Sequence, residues 1–244
     1  MLKYNKNQAY RRERILLNIS QLKDALFKQA TIFQTGGIRP TEELGESWIG
    51  KVLWGKEGET IPSSFAPICT IFLNELPYVP KELNSYQLLT IYMDFDVFNN
   101  LHMDNLISFF KINCYSNLDE IQKINEQSTK IKPLPLTPLL IDNDTPTWED
   151  SDSFDPEIEN AIIRLESEHG MEYYEDIVEK IYSTHKVGGY PSFTQSGVSF
   201  GEDYPFVFQI SSDSKAQFNI VDSGSFYFFH NPEKQDWIVY CDFY

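Results

Sequence analysis

One stretch of the chain has the glycine and lysine spacing of a phosphate-binding loop. Residues Gly50 to Lys56 read GKVLWGK and fit the pattern GxxxxGK, in which backbone amides cradle phosphates and the lysine reaches toward them. The next residue is Glu57, where Ser or Thr would bind Mg²⁺, and the following segment, Gly58 to Pro62, cannot begin the required helix. We therefore interpret the spacing as coincidental and expect no nucleotide binding.

His185 is the titratable residue of most chemical interest, because it precedes a glycine-rich turn. Cys241 and Asp242 lie elsewhere in the chain, so a Cys–His pair is conceivable, but no nucleophile signature surrounds Cys241. A neutral histidine can instead tie a loop to backbone groups through its two ring nitrogens. We expect a structural role for His185, and a role at the edge of a ligand site is the alternative.

Patterns that bind metal or supply a nucleophile are absent or incomplete. The four histidines, at positions 102, 169, 185 and 230, show neither HxxxH nor HExxH spacing. The runs DND at 142–144 and DSD at 150–152 begin like calcium loops but lack the glycine at the sixth position and the glutamate at the twelfth. No G-x-S-x-G occurs. We expect no metal site, no cofactor and no catalytic residue.

A third feature is a strongly acidic segment. Residues 142–159 carry eight acidic side chains and no basic one, and burial of unpaired carboxylates is costly, so the segment is predicted to face solvent or to be paired. Trp148 lies within it and could anchor a partner. A solvated linker is the alternative. The predicted partner-binding residues are Asp142, Asp144, Trp148, Asp150 and Asp152.

The whole chain shares this acidity. Its 36 acidic and 20 basic residues give a net charge of −16. Such a surface repels nucleic acid backbones and anionic membranes, and it attracts a basic partner over a long range. The alternative is that the charge only keeps the protein soluble. We expect a basic protein partner, with no nucleic acid and no membrane.

The cysteines and the first residues bear on the compartment. Cys69, Cys114 and Cys241 are odd in number and widely spaced, without a CxxC motif, which fits a reducing compartment. The basic start lacks the long apolar region of a signal peptide, and no apolar stretch reaches 18 residues. We therefore expect a cytoplasmic protein.

The elements that must position these residues point to an α+β fold with a mainly antiparallel sheet. Aromatic residues make up 15% of the chain and favour strands. Ile15, Ile19, Leu22 and Leu26 recur at helical spacing and predict an N-terminal helix from Arg12 to Ala30. Strands are predicted over residues 66–76, 88–93, 106–115, 204–210, 226–229 and 237–240. Prolines predict an extended or edge-like segment over 130–141, and residues 117–125 suggest a short helix. A helical connection is predicted from 158 to about 182, with a break at Gly170.

The order of these elements predicts a single domain, 1–244, built from two related halves. A glycine loop and two buried strands occur in the same order at about 47–97 and 184–234, and two such halves could pack by a pseudo-twofold into one core. Offsets of 138, 139 and 137 residues relate Gly50 to Gly188, Thr70 to Gln209 and Gln87 to Gly224.

The same residues carry a family resemblance. HKVGGYP at 185–191, continuing to Gln195, resembles the HxxGGYP…Q signature of the YwqG-like family of uncharacterised bacterial proteins. DSGSFYFF at 222–229 resembles that family's GD-x-G-x-x-x-FF element, CDFY at 241–244 its WDCY ending, and CTIFLNELP at 69–77 its AQINLSELP run. The match covers 184–244 and, less closely, 66–94. It implies a duplicated α+β fold and no activity, and its motif residues here are His185, Gly188, Gly189, Tyr190, Pro191, Gln195, Gly224 and Asp242.

We therefore expect a non-enzymatic acidic protein-binding module, such as an immunity-type inhibitor of a basic toxin or effector. A further reason is the segment from Ser47 to Leu53, which stands where the family has a GGxPxLP loop. An exposed loop whose sequence differs while the core stays the same is typical of partner specificity. One alternative is an enzyme or small-ligand-binding protein that uses a cleft between the halves near His185. Another is a structural or assembly module.

Overall fold

The fold was obtained as a computed structural model and is described for residues 19–125, 127–150 and 153–244. Helix α1 covers residues 19–26 and α2 covers Pro156–His169. The strands are β1 (Lys28–Thr35), β2 (Ser47–Ile49), β3 (Trp54–Gly55), β4 (Phe65–Phe72), β5 (Leu88–Asp94), β6 (Phe110–Tyr115), β7 (Gln122–Lys123), β8 (Leu134–Asp144), β9 (Lys186–Gly188), β10 (Phe206–Ser211), β11 (Ser225–Asn231) and β12 (Asp236–Asp242). Short 3-10 turns lie at Leu73–Glu75, Lys81–Leu83, Phe95–Asn99, Ile107–Phe109 and Leu118–Glu120, and a π-helical turn at Tyr173–Ile177.

Ten of these strands form one antiparallel sheet, which confirms the predicted sheet type. The order across the sheet is β12-β11-β10-β9-β1-β8-β2-β4-β5-β6, and β3 pairs separately with β7. The sheet curls as a half-barrel around the main core, so that Phe110 of β6 lies 5.1 Å from Phe226 and 5.4 Å from Phe228 of β11, between ring centroids. Aromatic pairs of this kind supply both burial and edge-to-face attraction.

The strands on either side of the central β1–β8 pair follow the same register. In β4 and β5, Cys69 pairs with Ile91, and in β10 and β11, Phe208 pairs with Phe228. Each pair of strands also has a bulge at the corresponding place, between Pro67 and Cys69 and between Phe206 and Phe208. A β-bulge inserts one residue into one strand, so β4 and β10 each carry one extra residue at the corresponding place.

The N-terminal helix is present but ends earlier than predicted. Residues 19–26 are helical, residues 12–18 lie outside the described part of the chain, and β1 begins at Lys28. The prediction that the helix runs to Ala30 is therefore wrong. The run ATIFQT is rich in β-branched and aromatic residues, and pairing with both β8 and β9 outweighs the helical period.

The proline-rich segment was predicted to be extended or edge-like; it is extended, as β8, but it lies inside the sheet and not at its edge. β8 pairs with β1 along most of its length and with β2 only over Leu134–Leu136. The Pro135 carbonyl accepts from Gly36 N on the β1 side, and backbone groups alternate sides along a strand. The N–H that Pro138 lacks would therefore face the β2 side. Because β2 pairs only as far as Leu136, no hydrogen bond between the strands is lost there.

The segment from Ser47 to Leu53 is buried rather than an exposed loop. Ser47–Ile49 form β2, Gly50 has a φ of 72°, and every residue from Ser47 to Leu53 is buried. This burial corrects the expectation that the segment offers a variable surface for a partner.

Helix α2 has capping residues that its sequence supplies at both ends. The Asp155 carboxylate accepts from Glu157 N at 2.8 Å, and Pro156 occupies the first turn. Gly170 ends the helix with a φ of 65°, which confirms the break predicted there. Within the described residues, no helix is both long enough and apolar enough to cross a bilayer.

Candidate functional site

The two glycines of the HKVGGYP motif are required by close approaches. Gly188 and Gly189 have φ values of 77° and 70°, where a side chain is strained. A Cβ atom on Gly188 would lie 2.5 Å from the Tyr78 ring, and one on Gly189 would lie 2.0 Å from Asp144 Oδ2. The motif is thus a tight turn held against a tyrosine and a carboxylate, with Pro191 buried just after it.

That carboxylate forms a buried ion pair. Lys186 Nζ donates to Asp144 Oδ2 at 2.8 Å, and both side chains are 1% exposed. Tyr190 N donates to the same oxygen at 2.8 Å, and Tyr190 Oη donates to the Leu26 carbonyl at 2.8 Å. Asp144 therefore joins the end of β8 to β9 and to the turn after it, and through Tyr190 to α1.

The remaining motif residues hold the following loop. Asp242 Oδ2 accepts from Thr194 N at 2.8 Å and from Gln195 N at 3.2 Å, and Tyr227 Oη lies 2.7 Å from Oδ1. Burial raises the pKa of Asp242, against the opposing effect of these hydrogen bonds. A Cβ atom on Gly224 would lie 2.3 Å from the Asp242 carbonyl oxygen. The close approach of these two backbone segments therefore also requires glycine.

His185 serves as a backbone acceptor, and the other half of the sheet has a matching contact. His185 Nδ1 accepts from Ser211 N at 3.1 Å, just as Ser47 Oγ accepts from Phe72 N at 3.0 Å. The same place in each half of the sheet thus has a side chain that accepts from a backbone N–H of the neighbouring strand.

His185 also lines a cavity of about 300 Å³, here called the His185 cavity. Its Nε2 lies 3.3 Å from Asp213 Oδ2. Burial alone would raise the pKa of Asp213, but His185, the Thr35 hydroxyl and the Ala216 amide together hold it well below its usual range. Sequence reasoning missed Asp213, because nothing marks this aspartate as the neighbour of a histidine 28 positions earlier.

The predicted partner-binding residues differ in exposure. Asp142 is exposed and Trp148 is half-buried, whereas Asp144 and Asp150 are 1% and 3% exposed. Asp152 lies outside the described residues. Of this set, Asp142 and Trp148 are placed where a partner could touch them.

Trp148 borders a cleft that sequence reasoning did not find. This aromatic–acidic cleft has a volume of about 500 Å³. It lies where α2 ends and the π-helical turn begins, and the run MEYYED after Gly170 is the signal that could have revealed it. Its lining residues are Trp148, Glu166, Gly170, Met171, Glu172, Tyr173, Tyr174 and Glu175.

The aromatic side of this cleft is held by hydrogen bonds. Tyr174 Oη accepts from Trp148 N and donates to Glu149 Oε2, both at 2.8 Å. Tyr173 Oη donates to the Pro146 carbonyl at 2.7 Å. The Tyr173 ring centroid lies 5.3 Å from that of Trp148 and 5.3 Å from that of Tyr174. The three rings therefore form a preorganised wall.

The segment with phosphate-loop spacing is not followed by a helix. Residues after Lys56 form a turn, and Lys56 Nζ pairs with Glu120 at 2.5 Å. Glu59 accepts from Tyr115 Oη at 2.5 Å beside a cavity of about 330 Å³, so a carboxylate stands where phosphates would need donors. Among the described residues, no group of three or more His, Cys, Asp or Glu side chains could hold a metal ion.

Comparison with known proteins gives a family and no named relative. The family described as Domain of unknown function (DUF1963) matches residues 78–236, more than half of the chain. A search of curated proteins found no match.

Proposed function

Since the chain belongs to the DUF1963 family, whose function is unknown, we propose from its geometry that it is a non-enzymatic protein that binds a basic protein partner. The single observation that carries the proposal is the aromatic–acidic cleft, which combines a wall of three aromatic rings with three glutamates. Within the family, we propose that the chain is one of the YwqG-like proteins, because of the motif from His185 to Gln195.

The composition of the cleft favours a cationic side chain as the group bound. Glu172 and Glu175 are exposed and Glu166 is half-buried, and none of the described residues that line the cleft is basic. A lysine or arginine side chain over Trp148 or Tyr174 would gain cation–π attraction as well as ion pairing. The C-terminal end of α2, at Gly170, adds the negative end of a helix dipole.

The overall charge supports the same choice of partner. A net charge of −16 accelerates the approach of a basic protein by long-range attraction. It opposes the approach of a nucleic acid or an anionic membrane. An immunity-type inhibitor of a basic toxin or effector is the form of this function that we propose.

Two further parts of the proposal concern origin and location. We propose that the two halves, about 47–97 and 184–234, arose by duplication within one domain of 1–244. The matched bulges in β4 and β10 and the matched contacts of Ser47 and His185 support this origin. We also propose a cytoplasmic location, which the free state of the three cysteines supports.

The test measures binding of defined cationic peptides. An oligolysine and an oligoarginine peptide would be titrated into the protein by calorimetry at low and at physiological salt, with an oligoglutamate peptide as the negative probe. We expect Trp148→Ala to weaken binding about tenfold, or about 1.4 kcal/mol, because one desolvated cation–π contact is lost. The double variant Glu172→Gln and Glu175→Gln should weaken binding and flatten its salt dependence.

A matched control separates the cleft from general attraction to an acidic protein. Glu202 and Asp203 are exposed and do not line the cleft, so Glu202→Gln with Asp203→Asn removes the same charge elsewhere. Equal weakening by both double variants, together with no effect of Trp148→Ala, would reject the cleft as the binding site.

A further inference from the structure

The basic residues of the chain are unevenly distributed along its sequence. The first 18 residues contain five basic side chains and one acidic one, a net charge of +4, although the whole chain has a net charge of −16. Three of the five are arginines that lie close together, at positions 11, 12 and 14. These residues precede the described part of the chain, which begins at Ile19. A cationic segment is thus joined to a strongly anionic remainder, and the two attract each other.

The point where this segment joins the fold is close to the aromatic–acidic cleft. Ile19 and Leu26 of α1 pack in the same hydrophobic cluster as Trp148, Met171 and Tyr173. The last three of these residues also line the cleft. Helix α1 and the cleft therefore share one small hydrophobic core, and the chain that precedes Ile19 starts beside the cleft.

The arginines are within reach of the cleft. Arg14 is five residues before Ile19, and Arg11 is eight residues before it. An extended chain spans at most about 3.5 Å per residue, so the two backbones lie at most about 18 Å and about 28 Å from Ile19. A helical continuation of α1 would bring them to about 8 Å and about 12 Å. An attachment this short gives the segment an effective concentration of about 1 mM at the cleft.

The chemistry of the cleft suits an arginine side chain. Tyr174 is 43% exposed, and Glu172 and Glu175 are exposed at the same cleft. The hydroxyl of Tyr174 already accepts from Trp148 N and donates to Glu149, so the tyrosine offers its ring face. A guanidinium group can stack on an aromatic ring while its planar fork donates to a carboxylate.

We propose that the basic stretch from Arg11 to Arg14 occupies the aromatic–acidic cleft of its own chain while no partner is bound, and that a basic partner binds by displacing it. This inference rests on the proposed function, because it adds regulation to the same cleft. With a Kd of about 0.1 mM for the cleft, a segment at about 1 mM fills about nine-tenths of the clefts and weakens binding of a partner about tenfold. The cleft then selects a partner whose cationic group binds more tightly than the chain's own arginines.

The direct test compares the full chain with the triple variant Arg11→Gln, Arg12→Gln and Arg14→Gln, in the absence of any peptide. The indole N–H of Trp148 and the backbone amides of residues 172–175 would be followed by NMR. We expect these signals to shift in the arginine variant. Added salt should move the signals of the unaltered chain toward their positions in the variant, because salt screens the contact. Identical cleft signals in the two proteins at low salt would overturn the proposal.

A control with the same change in charge separates this contact from the overall field of the protein. Lys81, Lys130 and Lys132 are exposed and do not line the cleft. The triple variant Lys81→Gln, Lys130→Gln and Lys132→Gln therefore removes three positive charges elsewhere, and it should leave the cleft signals unchanged. Equal shifts in both triple variants would assign the effect to net charge and overturn the proposal.

Calorimetric titration with an oligolysine peptide measures the displacement. We expect the arginine variant to bind the peptide about tenfold more tightly than the unaltered chain at low salt, and the lysine control to gain at most about twofold from its added negative charge. Equal affinity in the two triple variants would overturn the displacement. Failure of the proposed function gives a different result, because Trp148→Ala would then leave peptide affinity unchanged, while the NMR comparison still decides whether the arginines occupy the cleft.

Discussion

The buried pair of Lys186 and Asp144 should behave as a strongly coupled unit in a double-mutant cycle. Both side chains are 1% exposed and 2.8 Å apart, so removal of either one leaves the other charge buried without its partner. Breaking a buried pair in this way typically costs about 3–5 kcal/mol. We therefore expect Lys186→Met and Asp144→Asn each to lower the free energy of unfolding by about 3–5 kcal/mol.

The double variant should be no less stable than the less stable single variant. With both charges gone, no ion is left buried, and the side-chain carbonyl of the introduced asparagine could still accept from Tyr190 N, which now donates to Asp144 at 2.8 Å. Simple addition of the single effects would predict a loss of about 6–10 kcal/mol. Such a loss would remove most of the stability of a typical domain, which is about 5–15 kcal/mol. The coupling free energy should therefore be at least about 3 kcal/mol, at the upper end for contacting residues.

Urea unfolding followed by circular dichroism and fluorescence measures each corner of this cycle. The control is the exposed pair of Lys234 and Asp203, 3.1 Å apart with side chains 58% and 71% exposed. Lys234→Met should leave the free energy of unfolding nearly unchanged, because solvent screens that pair. Additive effects of Lys186→Met and Asp144→Asn to within about 0.5 kcal/mol, or single effects as small as that of the control, would refute the reasoning.

Three further predictions concern single residues. Gly189→Ala should destabilise the fold by more than about 2 kcal/mol, because the new Cβ atom would lie 2.0 Å from Asp144 Oδ2. Gly201 also has a positive φ but has open space around it, so Gly201→Ala should cost only about 1–2 kcal/mol. Equal losses of stability in urea unfolding would contradict this prediction. Asp242→Ala should lower the free energy of unfolding by about 2–5 kcal/mol, because two backbone amides lose their acceptor. Asp242→Asn keeps a side-chain oxygen as acceptor and should lower it by less than half as much. Similar melting temperatures for the two variants would contradict the role of the carboxylate as acceptor. Burial lowers the pKa of His230 below its ordinary value of 6.5. As the pH falls, the unfolded chain therefore binds the proton before the folded chain does, and stability should fall below about pH 6.5. His230→Gln should reduce this pH dependence of stability, and an unchanged pH profile would show that His230 is not its source.

The strands of the second half could be predicted because their residues suit only a sheet. β10, β11 and β12 consist largely of aromatic and β-branched residues, and turn residues separate them. Their predicted ranges differ from the observed bounds by one or two residues at every end. β1 could not be predicted, because Ala30 continues the helical spacing that precedes it and only pairing with β8 and β9 decides the outcome. β2 and β9 have three residues each, too few for a periodic signal.

The candidate sites depended on contacts between distant parts of the chain. Asp144 was predicted to be available to a partner because its segment contains no basic residue, but Lys186 lies 42 positions away in sequence and covers it. The aromatic–acidic cleft joins Trp148 to a turn more than 20 residues later. Local composition identifies which residues carry charge, but only the fold decides which charges meet.

Buried and exposed charges have different effects: the buried ones affect the stability of the fold, and the exposed ones affect association with a partner. Among the described buried residues, the acids are Asp144, Asp150 and Asp242 and the basic residues are Lys51 and Lys186. This near balance places almost all of the net charge of −16 on the surface or in the undescribed residues. Added salt screens exposed charges over about 10 Å at 0.1 M and affects buried pairs much less. Salt should therefore leave the Lys186–Asp144 coupling nearly unchanged while it weakens the attraction of a basic peptide. The exposed acids are thus the charges that the proposed basic partner would meet, whereas the Lys186–Asp144 pair holds the turn at Gly189.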